Sequence, residues 1–199
     1  MLRLLTRLDA PEKNLVILTD YRLRDQCREL LSKHSDFFKS FTSLTLSSSS
    51  HLLHMKIAEE MVASGRLQSL DIYSRVLEPA CVSLLVDNFF SDSCRRFYVR
   101  AIDTDIAFRI INRWKETDPW DPKPYKILEV DAFRDKLAEM DMKEISLDSA
   151  KVYIQQIIKQ NFPTWRPVNP VYRIDHPLGS SRSIYVVFRD YSGCFFLFV

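Results

Sequence analysis

Glycine is scarce in this chain: Gly65, Gly179 and Gly193 are the only three in 199 residues. A phosphate-cradling Walker loop or a dinucleotide fingerprint needs several glycines at close spacing, so nucleotide chemistry by those loops is excluded. The G-x-S-x-G elbow of the α/β-hydrolases is missing as well. The four cysteines, Cys27, Cys81, Cys94 and Cys194, are scattered, with no Cys-x-x-Cys pair and no histidine at ligand spacing. Their apolar surroundings point to reduced, buried thiols rather than disulfides or a metal staple. Charge of one sign is also lacking. With 28 Lys+Arg against 26 Asp+Glu the formal net charge is +2, too little to draw in nucleic acid or an anionic membrane. No run approaches the roughly 18 to 20 apolar residues of a membrane-spanning helix. The stretch from Met1 to Leu8, with Arg3 and Arg7 among leucines, is too short and interrupted for a signal-peptide core, so the expected compartment is cytoplasm or nucleus.

What is present is an ordinary globular composition, 46% hydrophobic and 27% charged. A repeated strand signature organises it. Leu15-Val16-Ile17, Leu44-Thr45-Leu46, Leu70-Asp71-Ile72, Phe97-Tyr98-Val99 and, less cleanly, Leu128-Glu129-Val130 each read apolar-x-apolar. Their first residues stand 29, 26, 27 and 31 residues apart, near the period of leucine-rich repeats. Helical periodicity fills the gaps. Leu23, Cys27, Leu30 and Leu31 predict a helix over Tyr21–Lys33 capped by Asp20. Leu53, Ile57, Met61 and Val62 predict one over His51–Ser64, with Gly65 placed for a left-handed end. Pro79 suits a first helical turn ahead of Val82, Leu85, Val86 and Phe89, and Asp103 to Asp105 precede a stripe of Ile106, Ile110, Ile111 and Trp114.

Strand and helix in alternation favour parallel strands with right-handed crossovers. The signature residues then face the helices, and the alternate positions line an open face. Val16, Thr45, Asp71, Tyr98 and Glu129 form one expected row, and Leu18, Ser47, Tyr73, Arg100 and Asp131 the next. Thr45, Asp71, Tyr73, Tyr98, Arg100 and Glu129 are the candidate partner-binding residues of this aromatic and charged ladder.

Pro119, Pro122 and Pro124 break the pattern between Thr117 and Tyr125. Beyond them, helices are expected over Phe133–Met140 and Ser149–Asn161, the latter capped by Asp148. Val171–Ile174, Ser183–Phe188 and Gly193–Val199 read as an antiparallel meander. Its last strand is apolar on both faces and should be buried. The expected fold is therefore α/β: a short leucine-rich-repeat-like open parallel sheet with helices on one face, followed by a C-terminal helix and an antiparallel β meander. Degenerate repeats occupy 1–118, a Pro-rich connector 119–125 and an α+β cap 126–199.

Other chemistry has a simpler explanation at each position. His51 and His54 are three apart but lack further ligands, so they read as surface or capping residues. His34 and His176 read as structural, and Trp114 as core. The pairs Asp103/Asp105, Glu59/Glu60 and Asp118/Asp121 read as caps, solvated faces or linker. Arg95, Arg96 and Arg100 around Tyr98 have the basic-aromatic interleaving of a nucleic-acid surface. Asp71 and Glu129 flank them on adjacent strands, which favours ion pairing across the ladder over phosphate binding.

The tail Ile174-Asp175-His176-Pro177, then Ser183-Ile-Tyr-Val-Val-Phe188 and Phe195-Phe-Leu-Phe-Val199, resembles the end of many members of the nematode-expanded F-box-associated, leucine-rich-repeat-like proteins. The resemblance implies degenerate repeats with a C-terminal cap. For members with an F-box it implies recruitment of a target to a Skp1-containing ubiquitin ligase. No Leu-Pro opening an F-box pattern occurs before Leu44, so a Skp1-type component is expected only if an F-box is supplied elsewhere. The leading expectation is a non-enzymatic protein-interaction module with a protein partner, no cofactor and no metal, and with neither nucleic acid nor membrane as ligand. The alternatives are a small degenerate α/β hydrolase or transferase using Asp71, Arg100 and His176, or a truncated family member without activity.

Overall fold

The apolar-x-apolar signatures are strands, and their signature residues line the core. The structure, a computed structural model, describes residues 12–17, 28–29, 32–47, 52–73, 79–100, 105–118, 124–131, 140–161, 170–179, 182–188 and 193–199. Strands β1 (Asn14–Ile17), β2 (Ser43–Leu46), β3 (Ser69–Tyr73), β4 (Arg96–Arg100) and β5 (Lys126–Val130) pair in chain order and in parallel. Helices α1 (Ser35–Lys39), α2 (Leu52–Ala63), α3 (Pro79–Phe90) and α4 (Asp105–Glu116) connect them. Leu44, Leu70, Ile72, Phe97 and Val99 are fully buried in one cluster with Ile57 and Met61 of α2, Leu85 and Phe89 of α3, and Ile110 and Trp114 of α4. Each such side chain contributes about 1.5–3 kcal/mol by leaving water. Gly65 ends α2 at φ +65, and its N–H donates to the Val62 carbonyl at 3.0 Å.

The sheet does not stop at the repeats. Strand β9 (Cys194–Phe198) lies antiparallel against β5, and β8 (Ser183–Phe188), β7 (Val171–Asp175) and β6 (Lys143–Ile145) follow outward, giving the nine-strand order β1-β2-β3-β4-β5-β9-β8-β7-β6. The two-sided apolarity of β9 suits this interior place. Phe196 and Phe198 join the cluster under α2–α4, while Phe195 and Leu197 join a second cluster with Ile154, Ile157 and Ile158 of α5 (Val152–Asn161). Thus α5 covers the face opposite to α2–α4, over the C-terminal half of the sheet. Gly193, at φ +98, brings the chain into β9 so close to β5 that a Cβ would stand 3.0 Å from the Val130 carbonyl oxygen.

Several expectations change. Asp148 does not cap α5. It lies in a 3₁₀ turn over Leu147–Ser149, its N–H donates to Ser146 Oγ at 3.3 Å, and Ala150 is extended before the helix starts. His54 is not a surface histidine but is buried on α2. The short α1 and β6 had no counterpart in the sequence pattern. Leu18, His51, Asp103, the helices expected over Tyr21–Lys33 (but for fragments at 28–29 and 32–33) and Phe133–Met140, and most of the Pro-rich connector lie outside the described residues. Cys81, Cys94 and Cys194 are buried free thiols, and burial pushes the Cys94 thiol up to about 11. Among the described residues no helix is long and apolar enough to cross a membrane.

Candidate functional site

Strand alternation builds the site. In β3 the sequence Ser-Leu-Asp-Ile-Tyr sends Leu70 and Ile72 into the core, and in β4 Arg-Phe-Tyr-Val-Arg does the same with Phe97 and Val99. Asp71, Tyr73 and Tyr98 are left on the opposite face. The ladder register joins Val16 to Thr45, Thr45 to Asp71, Asp71 to Tyr98 and Tyr98 to Glu129, so the expected row is a physical row. Neighbouring strands are about 4.8 Å apart, which makes Thr45 through Glu129 a strip about 14 Å long. In the next row Tyr73 is the register partner of Arg100.

Among the described residues the face is bare at one end and covered at the other. Val16 is 56% exposed and Tyr73 is 39% exposed, whereas Ile127, Phe195 and Leu197 of the same face are buried in the cluster around α5. Glu129 falls at the boundary. It is only 4% exposed, so it is not an accessible contact residue, and its Oε1 lies 2.7 Å from Arg96 Nη2. This is the ion pairing across the ladder that the alternating charges suggested.

Asp71 is the electrostatic centre of the bare part. Burial holds its carboxyl above the ordinary carboxylate range; the Arg96 cation pulls it down and the Glu129 carboxylate pushes it up, with burial prevailing. One carboxylate oxygen, Oδ1, is closed off from solvent and accepts no hydrogen bond. Beside it the Tyr73 and Tyr98 rings pack with centroids 5.2 Å apart at an interplanar angle of 59°, an attractive tilted arrangement. Tyr98 donates its hydroxyl proton to Asp131 Oδ1 over 3.4 Å.

The remaining candidates are elsewhere. His176 follows β7 on the helix side of the sheet, 98% buried against the Trp114 ring with centroids 4.8 Å apart. Its Nδ1 accepts from the Leu178 N–H at 3.3 Å, which leaves Nε2 to carry the proton and donate to the Trp114 carbonyl at 3.2 Å. That carbonyl, at the end of α4, also accepts from the Thr117 N–H at 3.1 Å and the Thr117 hydroxyl at 2.7 Å. Asp71 and His176 therefore lie on opposite faces and share no site. A concavity of about 350 Å³ lies on the helix side at the N-terminal ends of the parallel strands, lined in part by Phe89, Trp114, Thr117, Lys126, Arg182 and Phe198. Its cations hold the protein together. Buried Lys126 donates to the Phe89 carbonyl at 2.8 Å and to that of Ser91, tying down the end of α3, and Arg113 pairs with Asp87 while lying over the Phe90 ring.

Among the described residues no group of three or more His, Cys, Asp or Glu side chains is placed to hold a metal ion. Sequence patterning found Asp71, Tyr73 and Tyr98 and expected ion pairing of Arg95, Arg96 or Arg100 with Asp71 or Glu129, but not which pair forms, because alternation gives the face of a residue and not its diagonal neighbour. Compared with protein-family models, curated proteins and solved structures, the chain matches none of them.

Proposed function

We propose that the chain is a non-enzymatic protein-interaction module of the cytoplasm or nucleus whose bare sheet face, with Thr45, Asp71, Tyr73 and Tyr98 at its centre and the backbone of Arg100 in register beside Tyr73, binds a protein partner. One observation carries this reading: among the described residues a single sheet face is sealed by α5 over its C-terminal half and left open over β1–β4, with aromatic and charged side chains in register across the open half. Exposed aromatics beside charged groups on a rigid sheet are the composition that concentrates binding energy at protein interfaces. The resemblance of the tail to F-box-associated proteins adds a context, in which the face is the substrate-reading portion of a ubiquitin-ligase adaptor whose Skp1-binding part is supplied elsewhere. A hydrolase or transferase built on Asp71, Arg100 and His176 requires those residues to converge, and the separation of Asp71 from His176 by the sheet weighs against it.

The test is proximity labelling in the protein's own cells, comparing the wild type with a Tyr73→Ala/Tyr98→Ala variant of unchanged far-UV circular dichroism and thermal midpoint. A defined protein labelled by the wild type, lost with the variant and bound directly when purified, supports the reading. Skp1-type components labelled alongside it extend the support to the adaptor context. Retention of every labelled protein by the folded variant removes the bare face as the site.

A further inference from the structure

The chemistry of the bare face narrows the kind of partner it takes; this step rests on the interaction reading above. Asp71 sits in the middle strip, in register with Thr45 on one side and Tyr98 on the other, with Tyr73 two residues along on the same face. Its Oδ1 is shut off from water and has no donor. The carboxylate has therefore lost part of its hydration without gaining a hydrogen bond at that oxygen, and a donor arriving at its half-exposed side offsets part of that loss. The cation nearest in the ladder does not fill the role: Arg96 is 2.7 Å from Glu129. Asp131 adds a further carboxylate beside Tyr98, at 3.4 Å from its hydroxyl.

We propose that this face binds a protein partner through a basic side chain, best an arginine, seated on Asp71 against the Tyr73 and Tyr98 rings. Three features of the place select that chemistry. A carboxylate short of a donor calls for a cationic donor, whose hydrogen bonds are roughly twice as strong as neutral ones. Two tyrosine rings 5.2 Å apart offer π faces on which a flat guanidinium stacks. Arg96 is engaged by Glu129, so the half-exposed Asp71 carboxylate beside the rings disfavours a phosphate or an acidic side chain at this spot. Guanidinium is preferred to ammonium because its fixed fork of five donors can meet the half-exposed Asp71 carboxylate and a second acceptor together, whereas ammonium is a strongly hydrated point charge.

The probes are the peptide acetyl-Ser-Val-Arg-Val-Ser-amide and versions in which lysine, citrulline or glutamate replaces the arginine. Each is titrated into the full chain and followed through the amide resonances of residues 69–73 and 96–100. The expected result is saturable shifts with the arginine peptide, weaker binding of the lysine peptide, and a loss of about tenfold or more for citrulline and glutamate. Asp71→Asn, with its thermal midpoint held or raised, brings arginine down to the citrulline level. Citrulline or glutamate binding as tightly as arginine overturns the proposal. So does an Arg100→Gln variant that abolishes arginine binding while Asp71→Asn does not. If no peptide shifts these strands but Tyr73→Ala/Tyr98→Ala still loses its cellular partner, the basic-side-chain proposal falls and the interaction reading stands. If the partner is also retained, both fall.

Discussion

Asp71→Asn should stabilise the protein at neutral pH, although the substitution falls in the middle of the face proposed to bind. Burial raises the folded-state pKa of Asp71 above its ordinary value of 3.8, against the pull of Arg96. A carboxyl whose folded pKa exceeds its unfolded one binds its proton more tightly in the folded state. Its contribution is fully favourable below pH 3.8 and is lost as the pH rises through the folded value. At pH 7 the wild type therefore carries an ionised, under-solvated group with one oxygen that accepts nothing. A buried polar atom without a partner costs about 1–3 kcal/mol. Asp71 keeps partial exposure and the Arg96 field offsets some of the cost, so the low end applies, about 1 kcal/mol. For a chain of this length that corresponds to a rise in Tm of about 2–4 °C.

Thermal unfolding followed by circular dichroism at pH 7 and again near pH 4 is the assay. The gain from Asp71→Asn should be present at pH 7 and shrink as the pH falls toward 4. A lower Tm for the variant at pH 7, or a gain that grows on acidification, refutes the reasoning, since either means that the ionised carboxylate is well satisfied in the folded protein. A stabilised variant with weakened binding is the pairing expected of a residue kept for function at the expense of stability.

Arg96→Met takes the cation from the buried Glu129 carboxylate and should cost about 3 kcal/mol in urea unfolding, more than Glu129→Gln, which leaves only a half-exposed arginine; an Arg96→Met/Glu129→Met double variant should regain most of it. Lys126→Met leaves the Phe89 and Ser91 carbonyls without their donor and should lower stability by about 2–3 kcal/mol by the same measurement. Gly193→Ala, at φ +98 with the Val130 oxygen 3.0 Å from the new Cβ, should cost about 2–3 kcal/mol, whereas Gly65→Ala, at φ +65 with nothing near, should cost about 1 kcal/mol. Cys94, buried and with its thiol pushed up to about 11, should resist iodoacetamide at pH 8 in the native protein and react on unfolding, as followed by mass spectrometry.

The parallel half of the fold was legible because each repeat spells its own register. Once Leu44, Leu70 and Phe97 are taken as equivalent, the residues between signatures must align, and Thr45, Asp71 and Tyr98 do so one to one. The C-terminal half was legible as elements but not as an arrangement. Phe195 to Phe198, apolar on both faces, announce an interior strand without saying that its neighbour is β5. Lys143-Glu144-Ile145 is too short to show alternation, so β6 carries no signal of its own. The burial of Glu129 and His54 depends on which elements close over them, and no local pattern encodes that.

The division of the face into bare and covered halves follows from side-chain type at the outward positions. From β5 onward those positions include Ile127, Leu197, Phe195, Tyr185, Val187 and Val171, an apolar surface that Ile154, Ile157 and Ile158 of α5 can bury, with Arg173, Asp175 and Ser183 bonded to one another at its edge. From β1 to β4 they are Asn14, Val16, Ser43, Thr45, Ser69, Asp71, Tyr73, Arg96 and Tyr98. A second helix like α5 laid over that half would desolvate these polar groups against an apolar stripe, a cost that such packing does not return. Whatever covers the bare half must bring donors and acceptors of its own. The Arg96–Glu129 pair marks the line where one regime gives way to the other: Glu129 is enclosed with the apolar half, and its charge is met by an arginine reaching across from the polar half. Asp71, one strand farther from α5, has no donor at its shielded oxygen, and its half-exposed carboxylate lies on the side of the sheet that the described residues leave open.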